Sequence, residues 1–389
     1  MSNSNKLNDQ MVITQDKLGH GAFGSVYIAK INNKDVAVKC ESKDKNENLT
    51  LLREFKICRK IYIVKKYLKL ANNTQNNEIL ESLEENPIIK IYKYINDNNL
   101  LLIPEEFNIN LLIDTTCVPE TYSYIECNDY NFLTMELCGD NLESIIDNYT
   151  ISEDTKYHIA YKLLYTLSCI HRCGIIHRDI KLSNFVLNKQ LDLTTVIKDN
   201  NNNISLDDIC PIIIDLGLAK EFYKYEGGKV LQISPYNIKS ITGTLRYISL
   251  NIHELKNPTI IDDLISLCYS LIVIFTGKNL PWVGHKKDID KFDQSKHTYV
   301  NCKCNYHKNK LAGKTKQNNT ISEVKFHTPL EDLTDNKYEF LISWIKYLYS
   351  LKPKQLPSYN FLFKKLITEN KNCIKPNFII NKKNKISKD

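Results

Sequence analysis

The chain has 389 residues and a formal net charge of +7, and charged residues make up 25% of it. These values are typical of a globular protein with a large core, and they exclude collagen-like, mucin-like and wholly disordered chains. The mild basic excess is compatible with acidic partners, but it does not establish nucleic-acid binding. No segment recurs with a period of about 20 to 50 residues, which argues against solenoids and propellers.

Three features of the sequence bear on its compartment. Residues 1–10 are polar and do not resemble a secretory signal. The longest apolar run, at 264–275, is interrupted by serines and is shorter than the roughly 20 residues that cross a bilayer. The 12 cysteines are scattered, which favours free thiols over a disulfide framework. We therefore expect a protein of the cytosol, or of cytosol and nucleus, without a membrane partner.

The first predicted elements are three strands and a helix. Residues 11–40 alternate apolar and polar positions around a glycine-rich turn and an Asn32-Asn33 turn, which predicts an antiparallel meander. Residues 49–70 place apolar side chains at helical spacing and predict a helix. The asparagine-rich stretches 71–77, 96–99 and 199–203 are typical of surface loops.

A mainly helical region follows a short apolar strand at 132–137 and a turn at 138–141. Residues 260–275 are apolar almost all round and predict a buried central helix, and residues 338–351 carry an amphipathic stripe. Both patterns indicate packing rather than chemistry. Residues 370–389 contain six lysines against one acid with little periodicity, so they are predicted to form a basic tail.

A glycine-rich motif joins the first two predicted strands. Gly19, Gly21 and Gly24 form a G-x-G-x-x-G pattern that Val26 follows. Between antiparallel strands this pattern predicts a flap over nucleotide phosphates, because glycines let backbone N–H groups approach the phosphate oxygens. A flexible hairpin without a ligand is the alternative.

The next predicted strand carries a lysine, Lys39, that follows Ala37 and Val38. A cation among apolar neighbours is costly unless it is paired, so Lys39 needs an anion. Nucleotide phosphates and a carboxylate on the next helix would supply it. Glu54 is the best placed acid there, and Glu47 is the alternative.

Two further motifs combine acids with an amide. They are His177-Arg178-Asp179-Ile180-Lys181-Leu182-Ser183-Asn184 and, after an apolar strand, Asp215-Leu216-Gly217. These stretches resemble the catalytic loop and the D-F-G motif of the eukaryotic protein kinases. Leucine in place of phenylalanine keeps an apolar side chain and leaves the aspartate intact.

The resemblance implies a role for each of these residues. Asp179 would orient the substrate hydroxyl, and Lys181 would lie beside the transferred phosphoryl group, as in the serine/threonine branch. Asn184, a third catalytic residue, and Asp215 would hold Mg²⁺ through oxygen ligands. Met135 would be the gatekeeper of the nucleotide site, with the hinge next to it. The ATP-binding residues implied in this way are Gly19, Gly21, Gly24, Val26, Ala37, Lys39, Glu54, Met135, Glu136 and Cys138.

Further stretches narrow the resemblance to the casein kinase 1 group, with its vaccinia-related relatives. They are 132–139 at the hinge, 241–251 in place of A-P-E, 262–267, 280–284 and 328–331. Residues 242–251, here called the substrate platform, resemble that group's platform for protein substrates. Asp263 would anchor the catalytic-loop backbone from the buried helix. Lys239 and Arg246 would bind an acidic or phosphorylated substrate residue, with two solvated surface cations as the alternative.

The implied fold is α+β with two lobes, a small antiparallel β lobe with one main helix and a larger, mainly helical lobe. We expect a flexible N-terminus at 1–15, a kinase domain at 16–369 and the basic tail at 370–389. The N-lobe would span about 16–135, the hinge about 136–139 and the C-lobe about 140–369. Residues 62–86, 97–127, 189–208 and 297–322 look like insertions, of which 189–208 would lengthen a hairpin.

The predicted function is therefore that of a monomeric serine/threonine protein kinase that uses ATP and Mg²⁺ on acidic or primed protein sites. A catalytically weak scaffold or binding module with the same fold is the alternative, and it predicts loss of Lys39, Asp179 or Asp215, which are all present. A small-molecule phosphotransferase is disfavoured by the intact substrate platform. Abundant Asn, Lys and Ile are typical of an AT-rich genome, and a viral member would act in the host cytoplasm.

Two further stretches of the sequence could bind a ligand, a group of possible zinc ligands and the lysine-rich tail. His297, Cys302, Cys304 and His307 could ligate zinc, but their spacing is not that of a standard finger and favours a solvated loop. The lysine-rich tail leaves nuclear import or nucleic-acid binding open, although charge runs are usually solvated.

Overall fold

The computed structural model describes most of both predicted lobes. The described residues are 11–21, 24–43, 50–71, 77–98, 100–101, 117–188, 204–205, 211–233, 238–287, 320–352, 354–374, 377–378 and 380–382. Glu47 and the cluster from His297 to His307 lie outside these ranges, so their predicted roles stay predictions.

The N-terminal lobe is built on a five-stranded antiparallel sheet with the order β1-β2-β3-β5-β4. Its strands are β1 (Met11–Gly21), β2 (Gly24–Ile31), β3 (Lys34–Ser42), β4 (Thr121–Glu126) and β5 (Tyr130–Glu136). Asn32 and Asn33 turn β2 into β3 with φ of 50° and 61°, which is the geometry that joins tight hairpins. The predicted meander is confirmed, and β1 begins before the predicted domain boundary at residue 16.

Helix α1 (Thr50–Ala71) follows β3, as the sequence predicts. The buried carboxylate of Glu41 on β3 accepts hydrogen bonds from the Thr50 and Leu51 amides, 3.2 and 3.5 Å away. An acid at this place satisfies free N–H groups of the first turn and favours the helix dipole. Strand β3 therefore fixes the start of the helix that carries Glu54.

Two further helices, α2 (Asn77–Glu84) and α3 (Pro87–Asp97), lie between α1 and β4 in the sequence. The predicted loop at 96–99 is wrong for its first two residues, since α3 runs to Asp97 and buries Tyr92 and Ile95. The predicted insertions at 62–86 and 97–127 also overlap regular elements, because α1 continues to Ala71 and β4 is a strand of the main sheet.

The first half of the C-terminal lobe alternates helices with short strand pairs. The Asn141 side chain caps α4, and β8 pairs with β10 in the predicted hairpin that leads to Asp215. The elements are α4 (Leu142–Asn148), β6 (Tyr149–Ile151), α5 (Glu153–Arg172), β7 (Ile175–Ile176), β8 (Phe185–Leu187), β9 (Ile204–Ser205), β10 (Pro211–Ile213), β11 (Lys220–Glu221), β12 (Tyr223–Glu226) and β13 (Lys229–Gln232).

The second half is helical around one buried helix. The predicted central helix is confirmed, because it is buried along nearly its whole length and starts with a capping box of Thr259 and Asp262. The predicted amphipathic helix is confirmed at 339–350. The elements are α6 (Leu250–His253), α7 (Ile260–Thr276), α8 (Ile321–His327), α9 (Leu330–Leu333), α10 (Glu339–Ser350) and α11 (Tyr359–Glu369).

The predicted tail is partly docked onto this lobe. Cys373 is fully buried in the main core, and its carbonyl oxygen lies 2.6 Å from Nδ1 of His158 on α5. Strands β14 (Asn377–Phe378) and β15 (Ile380–Lys382) then pair with β9 and β6. Residues 371–382 thus include packed structure rather than a free tail. No helix in the described part of the chain is long and apolar enough to span a membrane.

Candidate active site

A cleft between the lobes brings together most of the residues predicted to act. Its inner part, a cavity of about 640 Å³, is lined by Gly19, Gly24, Val26, Lys39, Glu54, Asp179, Lys181, Asn184 and Asp215. Its outer part, about 510 Å³, is lined by Ala37, Met135, Glu136 and Cys138. Gly21 pairs with Gly24, which lines the inner cavity, where β1 meets β2.

The glycine-rich turn needs glycine at position 24. Gly24 has a φ of 147°, and a Cβ built there would overlap the carbonyl oxygen of Cys40 on β3. Gly19, by contrast, has open space around it. The turn therefore lies close against β3 at Gly24, and Gly19 faces the cavity without a side chain.

Lys39, Glu54 and Asp215 form a charged cluster at the back of the cleft. Nζ of Lys39 donates to Oε1 of Glu54 at 2.7 Å and to Oδ1 of Asp215 at 3.3 Å. Burial disfavours the ammonium, but the two carboxylates outweigh it and raise the pKa of Lys39 above its ordinary value. The charge of Lys39 in turn lowers the pKa of Asp215. The predicted pairing of Lys39 with Glu54 is confirmed.

Asp215 adopts a left-handed backbone conformation, with a φ of 67°. The next residue, Leu216, is fully buried, and its amide donates to Oε1 of Glu54 at 3.3 Å. Leucine therefore fills the apolar position expected of phenylalanine. Because Leu216 is anchored in the core and by Glu54, the adjoining carboxylate of Asp215 is held in the cavity.

The catalytic-loop residues are held by one another and by the substrate platform. Oδ1 of Asp179 accepts hydrogen bonds from N and Oγ1 of Thr244, at 2.8 and 2.7 Å. Nζ of Lys181 lies 2.8 Å from Oδ2 of Asp179 and 3.2 Å from Oγ1 of Thr244. Nδ2 of Asn184 donates to the Asp179 carbonyl at 2.9 Å. Both oxygens of the Asp179 carboxylate therefore have partners that fix its direction, and the residue lines the inner cavity.

Asp263 on α7 anchors this loop from below, as predicted. Its carboxylate accepts the backbone N–H groups of His177 and Arg178 at 2.6 and 2.8 Å, and Nε2 of His171 at 3.1 Å. Burial would raise the pKa of Asp263, but the hydrogen bonds from His171 and from the His177 amide help to lower it overall. Arg178 has a φ of 74°, so the bonds to Asp263 stabilise a backbone conformation that side chains disfavour.

The hinge supplies the wall of the outer cavity. Met135 is buried and pairs with Ala37 across β3 and β5. Burial raises the pKa of the Cys138 thiol to about 12, so this side chain is neutral. The segment then turns into the C-terminal lobe, with the Gly139 amide donating to the Leu187 carbonyl at 2.9 Å.

The two predicted anion-binding residues, Lys239 and Arg246, do not line either of the two cleft cavities. Lys239 is exposed. The Arg246 guanidinium lies 3.7 Å from the Glu143 carboxylate, and its Nη2 donates to Oδ1 of Asn279 at 3.3 Å. Arg246 therefore already has an acid beside it, and its predicted role stays a prediction.

Sequence reasoning missed Thr244 as a direct partner of Asp179 and Lys181. The motif around it was recognised, but a threonine in a loop has no pattern that indicates which side chain it contacts. It also missed His171, whose imidazole lies in the core between Asp263 and the hydroxyl of Tyr359, 2.6 Å from its Nδ1.

Comparison with known families agrees with this geometry. A family model described as the protein kinase domain matches residues 12–359, which is most of the chain. The match contains the glycine-rich turn, the Lys39 cluster, the catalytic loop and the substrate platform. The chain has two lobes with these groups at their junction, and the family model matches the same residues. This chain therefore belongs to the protein kinase family.

Proposed function

We propose that this protein kinase transfers the γ-phosphoryl group of ATP to serine and threonine hydroxyls of proteins, as a member of the casein kinase 1 group. The observation that carries the proposal is the contact set of Asp179, Lys181 and Thr244. It joins the acid of the catalytic loop to the substrate platform through a lysine of the kind found in the serine/threonine branch.

In this proposal, Asp179 orients a substrate hydroxyl. Thr244 engages Oδ1, and Lys181 lies beside Oδ2, so the carboxylate cannot rotate freely. A hydroxyl entering over the platform would donate its hydrogen bond to this carboxylate, which aligns the oxygen for attack on the phosphorus. Lys181 would stabilise the negative charge of the transferred group in the same place.

The donor set of the inner cavity fits a nucleotide phosphate chain with Mg²⁺. Asp215 offers an ionised carboxylate, and the Asn184 amide nitrogen is turned to Asp179, which leaves its Oδ1 as an oxygen ligand. Mg²⁺ would neutralise phosphate charge there. Lys39, already positive and oriented by Glu54, would contact the phosphates, and the glycine-rich turn would cover them.

Arg178, the cation next to Asp179 in the sequence, bears on whether the enzyme needs an activating phosphorylation. Its Nη1 donates to the Leu218 carbonyl at 3.1 Å, so the segment after Asp215 is held by a backbone contact. Together with the closed pair of Lys39 and Glu54, this supports activity without prior phosphorylation of that segment. We expect bacterially produced enzyme to be active before any upstream kinase acts.

Acidic or primed sites are the proposed substrates. A dianionic phosphate takes several charge-assisted hydrogen bonds from Arg and Lys, each roughly twice as strong as a neutral one. Such a group would compete with Glu143 for Arg246, and Lys239 is exposed and available nearby in the sequence. We expect a preference for phosphate or acidic residues a few positions before the target.

The test is phosphate transfer from labelled ATP with Mg²⁺ to casein and to matched serine, threonine and tyrosine peptides. Asp179→Asn should reduce transfer by orders of magnitude while the circular dichroism spectrum is unchanged. Equal transfer by wild type and Asp179→Asn would refute the catalytic role. Transfer to tyrosine alone would refute the serine/threonine assignment, and no transfer at all would favour a scaffold.

A second experiment separates the anion site from the chemistry. Lys239→Ala with Arg246→Ala should raise KM for phosphorylated or acidic peptides and leave unprimed peptides nearly unaffected. An equal loss on both peptide types would show that these residues support the loop itself.

A further inference from the structure

A buried lysine, Lys325 on α8, lies beneath the substrate platform. The residue is only 4% exposed. Its Nζ donates to the carbonyl oxygens of Leu245 and Ile248 at 3.0 and 2.7 Å, and it lies 3.3 Å from Nε2 of His253. A lysine ammonium has three N–H donors, and two of them are directed at these carbonyls.

Two aromatic rings enclose the same ammonium. It lies 5.4 Å from the ring centre of Tyr269 and 5.1 Å from that of Trp282, both within the range of cation–π attraction. Nε1 of Trp282 donates in turn to the Arg246 carbonyl at 2.7 Å. Lys325 and Trp282, which contact each other, thus hold three carbonyl oxygens of one short stretch of the platform.

The same stretch touches the catalytic loop at its other end. Thr244 bonds to the Asp179 carboxylate, and a Cβ on Gly243 would lie 2.6 Å from the Arg178 carbonyl oxygen. Thr244 is therefore hydrogen-bonded to Asp179 of the catalytic loop. The carbonyls of residues 245, 246 and 248 are hydrogen-bonded to Lys325 or Trp282. A shift at one end would be transmitted to the other over a few backbone bonds.

We propose that Lys325 is a positioning residue that fixes residues 245–248 as the surface on which the substrate binds just after its target hydroxyl. The inference rests on the proposed function, since it requires a peptide substrate. The inference identifies Lys325, which lies outside the cleft, as a residue that affects the affinity for the substrate residues after the target hydroxyl.

The physical reason is the cost of unpaired backbone groups. Without the ammonium, the carbonyls of Leu245 and Ile248 would lose charge-assisted partners, and each would rotate to find water or another donor. The platform backbone would then occupy several conformations, and the substrate would have to select one of them. Binding of the substrate residues that touch residues 245–248 would weaken, whereas ATP binding would not, because Lys325 and residues 245–248 do not line the two cleft cavities.

The experiment compares two acceptor peptides with the same enzyme preparation. One peptide ends at the target serine, and the other continues for several residues beyond it. The measured quantity is the ratio of their kcat/KM values, because this ratio cancels any difference in the fraction of folded enzyme. Lys325→Met removes the donors and the charge, Lys325→Arg keeps both, and Lys346→Met removes an exposed lysine of α10 as the matched control.

In wild type and in Lys346→Met, we expect the longer peptide to be the better substrate. In Lys325→Met, this advantage should fall about tenfold through KM, the size expected when a hydrogen bond to a charged group is lost. KM for ATP should stay unchanged, and Lys325→Arg should recover part of the advantage. An unchanged ratio in Lys325→Met would overturn the inference even if the variant is less stable. Absence of transfer in wild type would instead overturn the proposed function.

Discussion

The ion pair between Lys39 and Glu54 allows the energetics of the cleft to be tested directly. Its nitrogen and oxygen lie 2.7 Å apart, and the two side chains are 13% and 3% exposed. At an effective dielectric constant of about 20, this distance gives an attraction of roughly 6 kcal/mol before desolvation. Burial of both charges offsets most of that gain, so the measurable quantity is the cost of removing one partner.

Glu54→Gln removes one charge and keeps the shape of the side chain. The amide oxygen can still accept a hydrogen bond from Lys39, whose ammonium retains Asp215 at 3.3 Å. We expect the free energy of unfolding to fall by about 3 kcal/mol, the low end for a broken buried pair, because Asp215 compensates in part. Phosphoryl transfer should fall about a hundredfold, because Lys39 is the residue proposed to contact the phosphates and a displacement of about an ångström can cost that much.

The magnitude is measured with a double-mutant cycle of Lys39→Met, Glu54→Gln and the combined variant. Urea unfolding followed by circular dichroism gives each free energy of unfolding. The combined variant should lose about 2 kcal/mol less than the sum of the single variants, because no charge is left unpaired between the two positions. Additive losses would refute the reasoning. Lys346→Met, in an exposed pair with Glu331, should show no measurable change.

Two further predictions concern the support of the catalytic loop. Gly243→Ala places a Cβ 2.6 Å from the Arg178 carbonyl oxygen at a φ of 95°, so we expect about 2 kcal/mol less stability and lower kcat/KM. Gly228→Ala, at a φ of 77° with open space around it, should cost less and leave kcat/KM unchanged, and equal effects would contradict the steric argument. Burial lowers the pKa of His171, which bonds to Asp263, so the unfolded chain takes up a proton there first and stability falls below about pH 6.5. His171→Gln should flatten the fall in urea-unfolding free energy between pH 7 and 5.5, and parallel curves for wild type and variant would rule this out.

Local sequence patterns were sufficient where a motif determines its own geometry. The catalytic loop places Asp179 and Asn184 a few residues apart, and the structure shows them in hydrogen-bond contact. The pairing of Lys39 with Glu54 was also predictable, because a buried cation on a strand needs an acid from the next element. In both cases the partner lies close in sequence or on the following helix.

The docked C-terminal segment was not predictable in this way. Strands β14 and β15 are two and three residues long, and they pair with β9 and β6, which lie far away in the sequence. Such short strands have too few residues for an alternating pattern to be recognised. The lysines around them suggested a solvated tail, and only the tertiary contacts show otherwise.

The contacts of Lys325 with the substrate platform could not be predicted from the sequence either. In the sequence Lys325 stands between Val324 and Phe326 near the end of α8, where a lysine is ordinarily an exposed residue that favours the helix C-terminus. Nothing within that helix indicates that the carbonyls of Leu245 and Ile248 converge on its ammonium. Acceptors of this kind are backbone atoms, which every residue carries, so no residue type marks them. The convergence of backbone carbonyls on a buried cation is therefore found from coordinates, whereas the pairing of Lys39 with an acid on the following helix can be anticipated from sequence.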